Sequence, residues 1–188
     1  VQRTLLLGLA LATLPALVVG AFAADWIEVW LRNPLLIAGT TIVFGLLLGA
    51  ADRWGRRRRP LEGVGLGSAV VIGLAQVLAL VPGTSRSGVT ITAARALGMD
   101  REAAARYSFL LSIPIIAAAG GWGFLTGLRE GGSFELAQFA LAALLSGLFA
   151  WLTIAAFLAW LRRAGMMPFV VYRLVLGVAI LAVFWPRG

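Results

Sequence analysis

The groups in this chain that could do chemistry gather in one short string, Pro82–Gly83–Thr84–Ser85–Arg86–Ser87–Gly88, followed by Thr90 and Thr92. Its hydroxyls can donate to oxyanions. Arg86 is a permanent cation whose planar fork of donors suits phosphate oxygens. Gly83 and Gly88 allow tight turns and close backbone approach. A helix beginning near Gly88 would direct unpaired N–H groups and its positive dipole end at the same point. Together these features describe a phosphate or diphosphate site, with a plain Ser/Thr/Gly-rich turn as the competing reading. The string is not a Walker loop, because it lacks the Gly-Lys-Ser/Thr ending and no soluble strand precedes it. Gly63, Gly65 and Gly67 miss the dinucleotide fingerprint and are read as permitting close helix packing.

Composition removes most other chemistries. The chain has 188 residues with no His and no Cys, and all 16 basic residues are Arg. Schiff-base catalysis needs Lys, imidazole catalysis needs His, and thiol chemistry and the commoner zinc sites need Cys or His. Apolar residues make up 61% and charged residues 13%, against about 45–50% and about 25% in soluble domains. Membrane spans follow. The net charge of +8 sits beside apolar runs, where it orients the chain in a bilayer; no nucleic-acid partner is expected.

A spanning helix takes about 20 apolar residues, and five stretches qualify: Thr4–Ala23, Pro34–Ala51, Tyr107–Leu125, Leu136–Leu161 and Pro168–Trp185. Asp25, Glu28, Arg32 and Asn33 separate the first two. Arg129, Glu130, Gly131 and Gly132 separate the third and fourth, and Arg162, Arg163 and Gly165 end the fourth. Trp26, Trp30, Trp54, Trp160 and Trp185 fall at predicted ends, as do Tyr107 and Tyr172, which suits an interfacial belt. The chain opens on Val1, almost directly on an apolar run, so further sequence upstream is expected.

Residues 64–97 fit neither one span nor two. Arg53 and Arg56–Arg59 mark a cytoplasmic loop and Arg162–Arg163 a second one. Counting spans back from Arg162 puts Arg101 and Arg106 on that side too, so the segment starts and ends on one face. The expected fold is therefore all-α: a polytopic integral membrane protein with five transmembrane helices plus one re-entrant helical hairpin, in a single transmembrane domain over 1–188. A helix broken at membrane depth is tolerated where protein or a water-filled cavity satisfies its backbone, and such breaks often hold ligands. A kinked span followed by a surface helix is the alternative.

Around this hairpin the residue readings are plainer. Arg173 is read as snorkelling to the interface or pairing helices. Arg95, Arg101 and Arg106 anchor the cytoplasmic side, with Asp100 and Glu102 as partners. Ser108 and Ser112 are read as closing helix–helix hydrogen bonds. Pro114 and the Gly120–Gly121–Gly123 cluster should kink their span or tighten its packing. All eight carboxylates lie in or beside predicted loops, and none is placed to serve a buried site.

The run from Gly73 through Val81 into Pro82–Gly83–Thr84–Ser85–Arg86–Ser87–Gly88–Val89–Thr90 closely resembles the second signature of the undecaprenyl-diphosphate phosphatases, also called bacitracin-resistance proteins. The resemblance continues through Ala104–Pro114 and more loosely through Pro168–Phe169 and Tyr172–Arg173. It implies a multi-pass enzyme of the bacterial plasma (inner) membrane. That enzyme removes the terminal phosphate of undecaprenyl diphosphate, recycling the carrier for peptidoglycan synthesis. The implied fold is an inverted repeat with two re-entrant hairpins, commonly a homodimer, with an active site opening outward. Arg86 becomes the diphosphate clamp and, with Ser85, a candidate catalytic residue. Gly83, Thr84, Ser87, Gly88, Thr90 and Gln76 become candidate substrate-binding residues. One departure matters: the other repeat's signature, with its Glu residues and Ser-Ser-Thr-Gly-His-like turn, has no counterpart here. The nucleophile, the base and the ligands of an expected divalent cation (Mg2+ or Ca2+) belong to that missing half. Gln76 stands where the first repeat should have an acid, and its amide can orient groups but not take a proton. A lipid-phosphate translocase, or an inactive fragment, are the rival readings.

Overall fold

Asn33 and Pro34 make the sharpest boundary in the fold. In the computed structural model, which describes residues 2–55, 59–129 and 136–185, the Asn33 side chain accepts from the Leu35 N–H at 2.8 Å, and Pro34 takes the first helical turn, where its missing donor costs nothing. Helix α1 (Gln2–Trp30) ends just before this cap and α2 (Pro34–Trp54) begins at it. The break between the first two spans is thus narrower than expected, because α1 runs on past Asp25 and Glu28. The acidic and basic loop residues Arg56–Arg58, Glu130–Gly132 and Glu135 lie outside the described residues.

The remaining helices are α3 (Leu66–Val77), α4 (Arg86–Ala96), α5 (Arg101–Arg129), α6 (Leu136–Ala164) and α7 (Met167–Phe184). Helices α1, α2, α5, α6 and α7 are each long and apolar enough to cross a membrane, so the chain is an all-α, multi-pass membrane protein. The two others are not. At 12 and 11 residues, α3 and α4 reach about 18 and 17 Å, little more than half of a hydrocarbon core of about 30 Å.

They form the re-entrant hairpin. Its ends are tied together on one side, where the Arg59 N–H donates to the Gly98 carbonyl and the Asp100 N–H to the Arg59 carbonyl, both at 3.0 Å. Its tip is held inside α2: Thr40 donates to the Pro82 carbonyl at 2.7 Å and Thr41 to the Gly83 carbonyl at 3.1 Å. Thr40 lies six residues, about 9 Å, from the N-terminal end of α2, so the tip sits in the half of the span away from the hairpin's tied ends. The kinked-span alternative has no place in this arrangement.

Small residues let the flanking helices close on the hairpin. Helix α1 runs parallel to α3, with Gly8 beside Ala69 and Gly73 against the Ala12 backbone, so near that a Cβ at position 73 would come within 2.6 Å of Ala12 Cα. Helix α7 runs antiparallel to α2, with Gly45 beside Arg173 and Gly49 beside Val170. By contrast, a Cβ at Gly65, Gly67, Gly120, Gly121 or Gly123 would meet nothing within 4 Å, and one at Gly63 only the Pro60 ring. The packing role expected of these glycines is absent among the described residues. The helix α5 also runs unbroken through Pro114.

Tyr107 departs from expectation as well. It is fully buried rather than interfacial, its hydroxyl directed toward Gly8, because α5 begins six residues earlier than its apolar run and buries its first turns against α1 and α4. Tyr172 and the five belt tryptophans are exposed.

The base of the hairpin is a charge cluster with an unexpected partner. Asp52, in the last turn of α2, is 7% exposed and accepts both Nε (2.7 Å) and Nη2 (2.8 Å) of Arg101. Arg95 Nε lies 3.4 Å from the same carboxylate, while its other nitrogens donate to the carbonyls of Met99, Asp52 and Gly55. Asp100 instead caps α5, accepting from the Ala103 N–H. Only Arg106 pairs as expected with Glu102, at 2.6 Å. Asp52 serves no ligand site, but its burial is unexpected for a residue at a loop flank: a one-dimensional reading cannot see that the hairpin's end folds back over it.

Higher up, Thr90 Oγ1 and Ser108 Oγ lie 2.7 Å apart and both are fully buried, joining α4 to α5 as the serine reading anticipated; Ser112 instead donates to the Phe109 carbonyl of its own helix. Thr90→Val keeps the shape and strands the Ser108 hydroxyl. Thermal unfolding in detergent should show a loss of about 1 kcal/mol, absent when Ser108→Ala is already present.

Candidate functional site

The first residue of the site is a strained one. Ser85 has φ +67°, the only positive φ outside glycine among the described residues. Such a backbone costs on the order of 1–3 kcal/mol and persists where its surroundings impose it. Here Ser85 caps α4, its Oγ accepting from the Gly88 N–H at 3.2 Å. The Val89 N–H is satisfied by the Ser85 carbonyl. The amides of Arg86 and Ser87, in the opening turn of α4, have no helical carbonyl to bond. They carry the positive end of the helix dipole. The Ser85 and Ser87 hydroxyls stand beside them, 3.4 Å apart.

Gly83 makes the turn that delivers this end. Its φ is +89°, and a Cβ there would collide with the Thr40 hydroxyl and lie 2.5 Å from the Ile37 carbonyl. Gly83→Ala should therefore unseat the tip from α2. The expected result is a lower unfolding temperature, corresponding to about 2 kcal/mol or more, with loss of ligand binding at temperatures where the helices remain folded.

Arg173 reaches the tip from α7. Its Nη2 donates to the Gly83 carbonyl at 2.8 Å and its Nε to the Thr41 carbonyl at 3.3 Å. Its Nη1 would stand 3.3 Å from a Cβ on Gly88. The side chain is buried. It does not snorkel; it pairs α7 with α2 and the hairpin, and it brings a cation to the N-terminus of α4.

A cavity of about 200 Å³ opens beside these groups. Its polar wall is Ser85, Ser87, Gly88 and Arg173. Its apolar wall is Leu48, Ile91, Phe157, Met166, Phe169 and Tyr172. An anion can be held at the first wall by two hydroxyls, the Ser87 amide and a guanidinium, while a hydrocarbon can lie along the second.

The other sequence-derived candidates are placed elsewhere. Arg86 is half-buried and turns to the opposite flank of α4, where Nη1 donates to the Ser108 carbonyl at 3.3 Å. Thr84 is fully buried, its hydroxyl spent on the Val81 carbonyl at 2.8 Å. Thr90 is spent on Ser108 and on its own helix. Gln76 lies in the α1–α3 seam, its amide nitrogen donating to the Ala12 carbonyl at 3.2 Å and its Oε1 unpartnered. The structure thus brings Ser85, Ser87 and Gly88 together at the cavity, with Gly83 behind them.

No carboxylate lines the cavity, and among the described residues no three His, Cys, Asp or Glu side chains lie close enough to hold a metal ion. The donor set present at the cavity does not fit a divalent cation.

The profile of the bacitracin resistance protein BacA family matches residues 1–179. The chain belongs to the BacA family. It is similar to the undecaprenyl-diphosphatase of Alcanivorax borkumensis, 54% identical over 176 residues, which cover 94% of this chain and 66% of that protein. Undecaprenyl-diphosphatases of Alteromonas mediterranea (51%) and Chromohalobacter salexigens (52%) match over 169 residues, 90% of this chain and 64% of each relative. The chain spans just under two thirds of the length of these relatives.

For a BacA-family chain, Arg173 is the residue that sequence reasoning undervalued. One signal could have raised it. It is the only charged residue in α7, and an ionisable side chain within a span faces protein or a polar cavity and marks function by default.

Proposed function

We propose that this chain carries the phosphate-binding half of an undecaprenyl-diphosphate phosphatase site, hydrolysing undecaprenyl diphosphate to undecaprenyl phosphate and inorganic phosphate in the bacterial inner membrane. The observation that carries the reading is the cavity with Arg173, Ser85 and Ser87 on one wall and apolar side chains on the other, at the depth of a broken helix. A lipid diphosphate has matching parts. The curated relatives bear the name of this activity.

Phosphoryl transfer is largely a matter of positioning and charge neutralisation. The Arg173 guanidinium, already oriented by the Gly83 and Thr41 carbonyls, leaves Nη1 toward the α4 N-terminus. The Ser87 amide and the Ser85 and Ser87 hydroxyls converge from the other side. Donors fixed before the reaction begins stabilise developing charge without reorganising. Arg86, anchored on the Ser108 carbonyl on the other flank of α4, adds its charge to the same helix terminus from outside the cavity. No base lines the cavity, so the nucleophile is activated by groups beyond this wall. Recycling of the lipid carrier supports cell-wall synthesis and gives bacitracin resistance its chemical basis.

Together with the half that supplies nucleophile and base, the protein should release inorganic phosphate from undecaprenyl diphosphate, and these 188 residues alone should release little. Movement of labelled undecaprenyl phosphate between leaflets without phosphate release would favour a translocase instead, for which re-entrant hairpins are equally suited.

A further inference from the structure

The apolar wall of the cavity is not a uniform greasy surface. It is built on an aromatic chain. Phe157 and Phe169 have ring centroids 4.9 Å apart, Trp160 meets Phe169 edge-on at 4.9 Å, and Phe109 meets Phe157 edge-on at 5.4 Å. Phe169 stands four residues before Arg173 on α7, one turn toward the cytoplasmic side and on the same face. Ile91 occupies the matching position on α4, one turn below Gly88. A molecule whose anion lies between Arg173 and Ser87 therefore meets the rings with its first carbons.

The volume limits how much more can enter. A cavity of about 150 Å³ holds one benzene-sized group, so about 200 Å³ accommodates part of a head group and one short branched unit. Any longer chain must leave sideways. The geometry provides the exit. Helices α6 and α7 meet at their inner ends through Phe157, Trp160 and Phe169, while residues 137–153 of α6 are exposed throughout.

We propose that Phe157 and Phe169 form a subsite for the first isoprene unit of a polyprenyl diphosphate, with the rest of the chain passing between α6 and α7 into the bilayer. This occupant presupposes the head-group binding proposed above. Recognition is then confined to the head group and the unit next to it, and affinity depends little on chain length beyond that unit. Flat rings facing a branched, unsaturated unit also favour it over a saturated acyl chain.

The test is photolabelling of the purified full chain in detergent with farnesyl diphosphate bearing a diazirine on its first isoprene unit, the adducts being mapped by mass spectrometry. Expected adducts fall within residues 157–173, are competed by unlabelled farnesyl diphosphate and are reduced by inorganic pyrophosphate. Pyrophosphate-sensitive adducts mapping instead to the outer halves of α5 and α6 would overturn the subsite and leave head-group binding standing. Adducts that pyrophosphate does not reduce, or no competed adducts at all, would overturn head-group binding and the subsite with it. Phe157→Leu and Phe169→Leu keep apolar bulk but remove the rings. Each should weaken farnesyl diphosphate binding about three- to tenfold while leaving pyrophosphate binding within twofold. Equal weakening of both ligands would mean the rings act only by holding the fold.

Discussion

Arg173→Ala should lower the rate of phosphate release from undecaprenyl diphosphate by about 10²–10³-fold, the range seen when one preorganised donor to a developing charge is removed. Two effects act together. The cation nearest the α4 amides is lost, and the Gly83 carbonyl, which accepts from Arg173 at 2.8 Å, loses one of its two anchors. Arg173→Lys separates them. It restores a charge but not a planar fork able to bond two carbonyls and an anion at once, so it should recover only a small part of the activity. Kinetics at several substrate concentrations provide the check: loss of transition-state stabilisation appears in kcat as well as kcat/KM.

Asp52→Ala should be the most destabilising single change at the base of the hairpin, costing about 3–5 kcal/mol, as expected when one partner of a buried pair is removed. Arg95 would remain buried without its ion-pair partner at 3.4 Å, and Arg101 would lose two hydrogen bonds, at 2.7 and 2.8 Å. Asp52→Asn keeps one acceptor and should cost less. Thermal unfolding in detergent measures both. Because the cluster ties α2 to both ends of the hairpin, proteolysis near Arg59 should accelerate in Asp52→Ala well below the temperature at which the spans unfold.

The fold was legible because its signals are long-range in character. Apolar runs set the five spans, and a segment too short for two crossings yet even in parity had to turn back. The observed hairpin, α3 with α4, falls within the 64–97 segment read from sequence. Boundaries were less legible: α1 continues through Asp25 and Glu28 beyond the end of its apolar run, because helical backbone does not require apolar residues.

The hairpin tip was readable as a turn, but the directions of its side chains were not. The members of the string around Arg86 diverge once α4 is formed. Successive residues on a helix lie about 100° apart, so Arg86 faces α5 while Ser85 and Gly88 face the cavity. Thr84 and Thr90 are polar in sequence yet saturate local carbonyls, a choice that depends on burial. Arg173, nearly ninety residues away, enters the site only because α7 runs antiparallel to α2. Asp52 is the same lesson at the other end of the hairpin.

The most direct test of the central claim is a structure of the protein determined with undecaprenyl diphosphate bound. A phosphate should lie against the α4 N-terminus, with oxygens about 3 Å from the Ser87 amide and from a guanidinium nitrogen of Arg173. A diphosphate docked elsewhere, with the hairpin tip untouched, would contradict the account.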